Sequence, residues 1–314
     1  MENKKPRTCE ELLKQYSKII CQCSKGEKLV FENVDGKDVY NITQPFINEK
    51  ELIIAGRVEA RDSEDSEIFF FVEQKGKWSP KEKTRVFRLQ DPFITFVDGE
   101  LVFGGVEIFP HPLHENALWY RTVFYRGENI YSLEKFATGP DGMKDIRLIE
   151  LEDKSIAVFT RPQGEVGGRG QIGFIKIKSL DDLDIKTIEK AKIIKGQFVG
   201  DEWGGANELH LLKNGLVGIL GHISKFDADG NRRYYPMTFA FDVLTQKATK
   251  LKIFATRDSF PNGAAKRPDL EDVVFSGGVN RCIDEKAILY AGISDAEAHK
   301  ICIPDPFIEY ESMK

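Results

Sequence analysis

A hairpin that recurs five times along the chain limits its fold more than any other feature. The copies are PFINEKELIIAGR at Pro45–Arg57, PFITFVDGELVFGG at Pro92–Gly105, RLIELEDKSIAVFTRP at Arg147–Pro162, ELHLLKNGLVGILGH at Glu208–His222 and NRCIDEKAILYAGISD at Asn280–Asp295. Each places a polar residue at or just before its first strand, then a tight charged turn, then an apolar second strand that ends on a polar or small residue. The period, about 50 to 70 residues, exceeds what a bare four-stranded blade needs, so the excess belongs to loops. Radial repetition brings corresponding positions of every copy to one central funnel, which a sandwich does not do. The expected fold is all-β, a five-bladed β-propeller. A length of 314 residues admits two domains or one large one, but two would split the repeat series. The propeller is therefore assigned to residues 31–314, with 1–30 an N-terminal helical segment packed on it. Within that segment Leu12, Leu13, Tyr16, Ile19, Ile20 and Cys23 recur at helical spacing, predicting an amphipathic helix over Cys9–Cys23.

Composition narrows the function. Hydrophobic residues at 41% with 30% charged describe a globular chain. A net charge of -5 provides no basic field for DNA or RNA, although a few local arginines suffice for a small anion. No apolar run approaches the length of a membrane span, and Met1–Arg7 leads into a charged amphipathic segment, so a cytoplasmic protein is expected. Five cysteines, Cys9, Cys21, Cys23, Cys282 and Cys302, show no zinc-like spacing and are expected as reduced thiols, with no metal site. His111 and His114 lack a carboxylate at helical spacing and read as loop residues. The sequence sets no oligomeric state.

In a propeller the ends of the inner strands converge. The polar residues flanking the hairpins, Asn41, Arg57, Asp91, Glu107, Asp145, Arg147, Arg161, Asn207, Glu208, His222 and Asp295, therefore form a composite pocket. Several are charges beside strongly apolar strands, where burial is costly unless a ligand or partner compensates. Ion pairs across the channel explain any one of them, whereas the set favours a binding site. The glycine-rich run Arg161–Gly173 opens no Rossmann or Walker helix and reads as a pocket-rim loop.

Six segments, in this order and blade phase, carry a family resemblance: YNITQPF at Tyr40–Phe46, QDPFITFVDGELVFGG at Gln90–Gly105, KDIRLIEL at Lys144–Leu151, FTRPQG at Phe159–Gly164, GGANELHLLKNGLVGILGH at Gly204–His222 and LYAGISD at Leu289–Asp295. The chain resembles the β-mannoside phosphorylases of glycoside hydrolase family 130 and, more closely, the mannosyltransferase/phosphorylases of glycosyltransferase family 108, the DUF1861 type. The resemblance implies that Asp91 is the catalytic acid, that Arg147, Arg161, His222 and Tyr235 bind phosphate, and that Asn41 and Asp295 hold the mannose. Arg57, Glu107, Asp145, Asn207 and Glu208 are placed with the sugar. One departure is Phe93, where the phosphorylases usually carry arginine after Asp-Pro; linkage and chain-length preference do not transfer through it.

What the resemblance implies is an inverting β-1,2-mannoside phosphorylase acting on a β-mannoside and inorganic phosphate, or on mannose 1-phosphate in reverse, without a cofactor. A GDP-mannose-dependent mannosyltransferase, a β-mannoside hydrolase and a non-catalytic carbohydrate-binding propeller are the alternatives. The chemistry is consistent with phosphorolysis. One acid protonates the leaving oxygen, and phosphate, already anionic, needs positioning rather than a second carboxylate as base. Asp91 must then carry a proton near neutrality, so a raised pKa is expected, through burial or a neighbour such as Glu107 or Asp295.

Overall fold

The computed structural model describes residues 6–19 and 25–313. Five antiparallel sheets follow one another in chain order, each running from an inner strand outward. Blade 1 starts from Asp38–Tyr40 and Phe46–Asn48, both paired with Glu51–Glu59, and continues through Glu67–Gln74 and Lys77–Pro80. The inner strands of blades 2 to 5 are Gln90–Val97, Arg147–Glu150, Trp203–Leu211 and Val274–Arg281. The chain is a five-bladed β-propeller.

A blade is covered on both faces, which explains why its strands read as apolar runs rather than as strict alternation. Ile156–Thr160 is buried at every position. The buried side chains fall into five clusters, one between each pair of neighbouring blades. Phe70, Phe87 and Phe103 join blades 1 and 2, Phe93, Phe124 and Val158 join 2 and 3, and Phe159, Ile219 and Phe239 join 3 and 4. Leu220, Val279 and Leu289 join 4 and 5, while Val39, Phe71 and Tyr290 close 5 on 1.

The ring is also sealed through the backbone, because Glu27–Lys28 pairs antiparallel with Glu297–Pro304 as the outermost strand of blade 5. Those two residues, assigned from sequence to the helical segment, thus belong to a blade; the edge of the last sheet needs a partner, and the incoming chain supplies it. The N-terminal helix, α1, spans Cys9–Ile19. It buries Cys9 and Leu12 in the cluster between blades 3 and 4, and the Cys9 N–H donates to Glu202 Oε1 at 2.6 Å. Its predicted extension through Ile20, Cys21 and Cys23 lies outside the described residues. Cys9, Cys282 and Cys302 are free thiols.

What positions the site is a repeated backbone irregularity. Asn41, Asp91, Asp145 and Asp295 adopt left-handed φ values of 45°, 49°, 58° and 49°. Asn and Asp tolerate this region better than other side chains, which accounts for their recurrence where the chain enters or leaves a blade. The ladders slip by one residue at Gln90/Phe93, Ala206/Glu208 and Ser276/Gly278, and bulges of this kind re-aim side chains.

Candidate active site

The inner strands converge on a cavity of about 210 Å³ at one end of the channel. Asn41, Arg57, Asp91, Lys144, Arg161, His222 and Asp295 line it, with Tyr234 on its wall and Glu64, Arg232, Lys266 and Arg267 among its other lining residues. Asp91 is buried, and its Oδ1 accepts from Asn41 Nδ2 at 2.8 Å and from Arg57 NH1 at 3.3 Å. Lys144 Nζ lies 3.9 Å from Asp91 Oδ2. Burial alone would raise this carboxyl, but Arg57 first, then Lys144 and the Asn41 bond, hold it below the usual carboxylate range. The sequence expectation of a raised Asp91 is therefore corrected: Arg57, Lys144 and Asn41 surround the carboxyl and hold it ionised.

The raised carboxyl is Asp295, pushed up by burial against the opposing pull of Arg57. Arg57 is itself anchored from behind. Its Nε and NH2 donate to Glu59 Oε2 at 3.2 and 2.7 Å, and Glu59 also accepts from Tyr40 Oη and Lys266 Nζ. Glu59 is a saturated, buried carboxylate whose work is to aim Arg57 at Asp91.

Across the cavity Arg161 is 3% exposed; its Nε donates to Gly204 O at 2.9 Å and NH1 lies 3.3 Å from Asp145 Oδ2. Among the described residues NH1 makes no hydrogen bond, nor does either oxygen of Asp145. Such unsatisfied buried groups are costly, and here they surround a cavity. Gly205 admits the cluster, since a Cβ there would come 2.8 Å from Arg161 Cδ and 2.9 Å from Asp145 Oδ2. Gly170, at φ +139°, lets the Arg161 guanidinium pack against its backbone in the same way. The Arg161–Gly173 loop does contain one helical turn, Gly164–Gly167. His222 contacts Asn207 Oδ1 through Nδ1 at 2.9 Å and stacks on Tyr234 at 5.3 Å. Burial drives its pKa down to about 3, so it is a neutral imidazole that lends the site no charge.

Several residues grouped with these from sequence lie elsewhere. Arg147, Asn207 and Glu208 line a second cavity, of about 270 Å³, together with Phe93 and His210. Arg147 donates to Asn207 O and Ile146 O at 2.7 and 3.0 Å and lies over the Phe93 ring at 4.3 Å; the phenylalanine that departs from the family pattern is its packing partner. Glu208 Oε2 is taken by His210 and by the Val279 N–H. Glu107 is partly exposed and bound to Arg121 at 2.7 Å, away from the cavity lining. Tyr235 packs into the cluster between blades 3 and 4, while its neighbour Tyr234 faces the cavity; side chains alternate along a strand, so a slip of one position exchanges the two. Asp145 lies beneath the cavity, with both oxygens sealed from solvent.

Sequence reasoning missed Glu64, Lys144, Arg232, Tyr234, Lys266 and Arg267. Lys144 stood inside the quoted KDIRLIEL segment, so its position beside Asp145 was the available signal. Lys266 and Arg267 belong to the connection from blade 4 to blade 5, which has no counterpart in the repeat. Among the described residues no group of His, Cys, Asp and Glu is arranged to hold a metal ion, and no helix is long and apolar enough to cross a membrane.

Residues 16–309 match a family described as protein of unknown function, DUF1861. Among solved structures, MPT-4, a mannose phosphorylase from Leishmania mexicana in complex with phosphate ion, is 32% identical with a TM-score of 0.88, over 96% of this chain and 94% of its own. MPT-1, a GDP-Man-dependent mannosyltransferase from the same organism, is 34% identical with a TM-score of 0.86, over 96% and 95%. A β-1,2-mannobiose phosphorylase from Listeria innocua shares the fold at 12% identity and a TM-score of 0.60, over 94% and 95%. No curated protein matches the chain.

Proposed function

We propose, from the premise that this chain belongs to the DUF1861 family, that it is an inverting enzyme transferring mannose between a β-mannoside and phosphate, giving α-mannose 1-phosphate and a shortened acceptor, with β-1,2 the linkage cleaved. One observation carries the reading: Arg161, whose NH1 meets only the Asp145 carboxylate at 3.3 Å, and Lys144, whose ammonium makes no hydrogen bond among the described residues and lies 3.9 Å from Asp91 Oδ2, line the same cavity as Asp91. Their chemistry suits a tetrahedral oxyanion, with Arg161 offering planar donors and Lys144 a point charge. In the chemical step a phosphate oxygen attacks the anomeric carbon on the face opposite the leaving oxygen, and Asp91 protonates that oxygen. Asp295, with no hydrogen bond among the described residues, supplies an acceptor for the sugar hydroxyls, and Asn41, whose Nδ2 donates to Asp91, lines the cavity with it.

Hydrolysis fits less well. Asp145 is sealed from solvent and Glu208 is engaged in the other cavity, so neither reaches a water beneath the sugar. A second reading, transfer from a nucleotide sugar such as GDP-mannose, is favoured by Arg232, Lys266 and Arg267, which extend the basic lining beyond a single phosphate. Incubating the protein with mannose and either mannose 1-phosphate or GDP-mannose separates the two. Release of phosphate with growth of a mannoside is expected from the first donor. In Asp91→Asn, which keeps the shape but cannot deliver the proton, the rate falls roughly a hundredfold or more. Growth from GDP-mannose alone would replace this reading with the second.

A further inference from the structure

Among the cations lining the cavity, Lys144 has the least committed charge. Arg57 is tied to Glu59 and Asp91, Lys266 to Glu59 and Glu64, Arg232 to Asp269, and Arg267 to Asp269 and Glu64. Arg161 rests on Gly204 O and Asp145. The Lys144 ammonium makes no hydrogen bond among the described residues. Its nearest recorded carboxylate oxygen is Asp91 Oδ2, 3.9 Å away, and the charges of Asp145 and Arg161 also act on it.

This position sets a problem for the acid. Asp91 has to give up a proton in the cleavage step, yet Arg57, Lys144 and Asn41 surround it and favour the carboxylate. Resting on the phosphate reading above, we propose that the anion and the general-acid proton enter the site together: an oxyanion seated against Lys144 and Arg161 takes over the Lys144 ammonium, and Asp91, now beside a negative charge, takes up a proton.

The physical basis is that an opposite charge within about 4–6 Å favours the carboxylate, whereas a like charge favours the acid. Binding exchanges one for the other on the Oδ2 side. On the Oδ1 side Arg57 and Asn41 remain, with Glu59, Glu64 and Lys266 beyond Arg57. Asp145 adds negative charge and favours protonation further. His222 is neutral and contributes none. The balance is simple. Asp91 accepts one proton from solvent, delivers it to the departing oxygen during cleavage, and returns to the carboxylate while the released acceptor keeps the proton as its hydroxyl. An acid loaded in this way is armed only when the nucleophile is present, which suppresses adventitious hydrolysis.

The test is calorimetric titration of inorganic phosphate into the protein at about pH 7, in two buffers of different ionisation enthalpy, so that protons taken up per phosphate bound are read directly. A parallel titration with sulfate, a tetrahedral oxyanion with no ionisation near pH 7, assigns the uptake to the protein rather than to the anion. Wild type is expected to take up more protons than Asp91→Asn, by a substantial fraction of one per phosphate. Equal uptake in the two proteins, including uptake that moves to Asp295 or His222, would overturn the inference while leaving phosphate binding intact. No binding in wild type would overturn the phosphate reading and the inference together. Lys144→Gln gives a second readout. Without the ammonium Asp91 keeps its proton to higher pH, so the alkaline limb of the pH–rate profile moves upward; a rate lowered equally at every pH would make Lys144 merely structural.

Discussion

Two arginines separated by fourteen positions, Arg147 and Arg161, show how much depends on where a guanidinium ends rather than on its type. Both are buried, at 3% exposure each. Arg161 keeps an unbonded NH1 beside the cavity that holds Asp91, whereas Arg147 gives its donors to the carbonyls of Asn207 and Ile146 and covers Phe93. Replacing Arg161 with Ala removes a charge-assisted donor whose loss costs about 1.5–3 kcal/mol of phosphate binding, a rise of roughly ten- to a hundredfold in the phosphate KM. Replacing Arg147 with Ala strands two buried carbonyls and costs about 1–3 kcal/mol of stability instead, with a lowered Tm and a phosphate KM close to wild type. Parallel KM and Tm measurements on the two variants check the division. A raised phosphate KM in Arg147→Ala would return it to the phosphate subsite that its sequence context implies.

Among the elements, α1 and the strand Glu27–Lys28 do different work from the blades they touch. The helix closes the cluster between blades 3 and 4 with Cys9 and Leu12, and the cavity lining draws on neither. Leu12→Ala removes a side chain that is 1% exposed and is expected to cost about 2–5 kcal/mol, lowering Tm by several degrees while kcat at 25 °C holds. A kcat that falls in step with Tm would tie the helix to the site. The blades were legible in the sequence because both faces of each sheet are covered, so every inner hairpin repeats the same polar–turn–apolar order. The closing strand was not, since its two residues are exposed and carry no apolar pattern; only the unpaired edge of Glu297–Pro304 calls for them. Lys266 and Arg267 escaped for a related reason, lying in a connection that no other blade repeats.

For the whole molecule, an acidic chain of net charge -5 gathers Arg57, Lys144, Arg161, Arg232, Lys266 and Arg267 around one cavity. A local basic field of this kind attracts a small anion without attracting polyanions generally. The polar ends of the repeats announced that a site exists on the propeller axis. They did not say which mouth each side chain faces: Asn41, Arg57, Asp91, Arg161, His222 and Asp295 meet in one cavity, and Arg147, Asn207 and Glu208 line another. The left-handed turns and bulges that decide this are backbone events, invisible in residue type alone.

The proposed mechanism turns on phosphate, held by Arg161 and Lys144, being the nucleophile. The most direct measurement supplies β-1,2-mannobiose to the protein with and without inorganic phosphate and identifies the mannose species released. Mannose 1-phosphate and mannose in equal amounts are expected when phosphate is present, and no cleavage when it is withheld. Free mannose released at the same rate in both reactions would contradict that mechanism and make the protein a hydrolase, with Asp295 and Glu64 the cavity carboxylates left to act as its base.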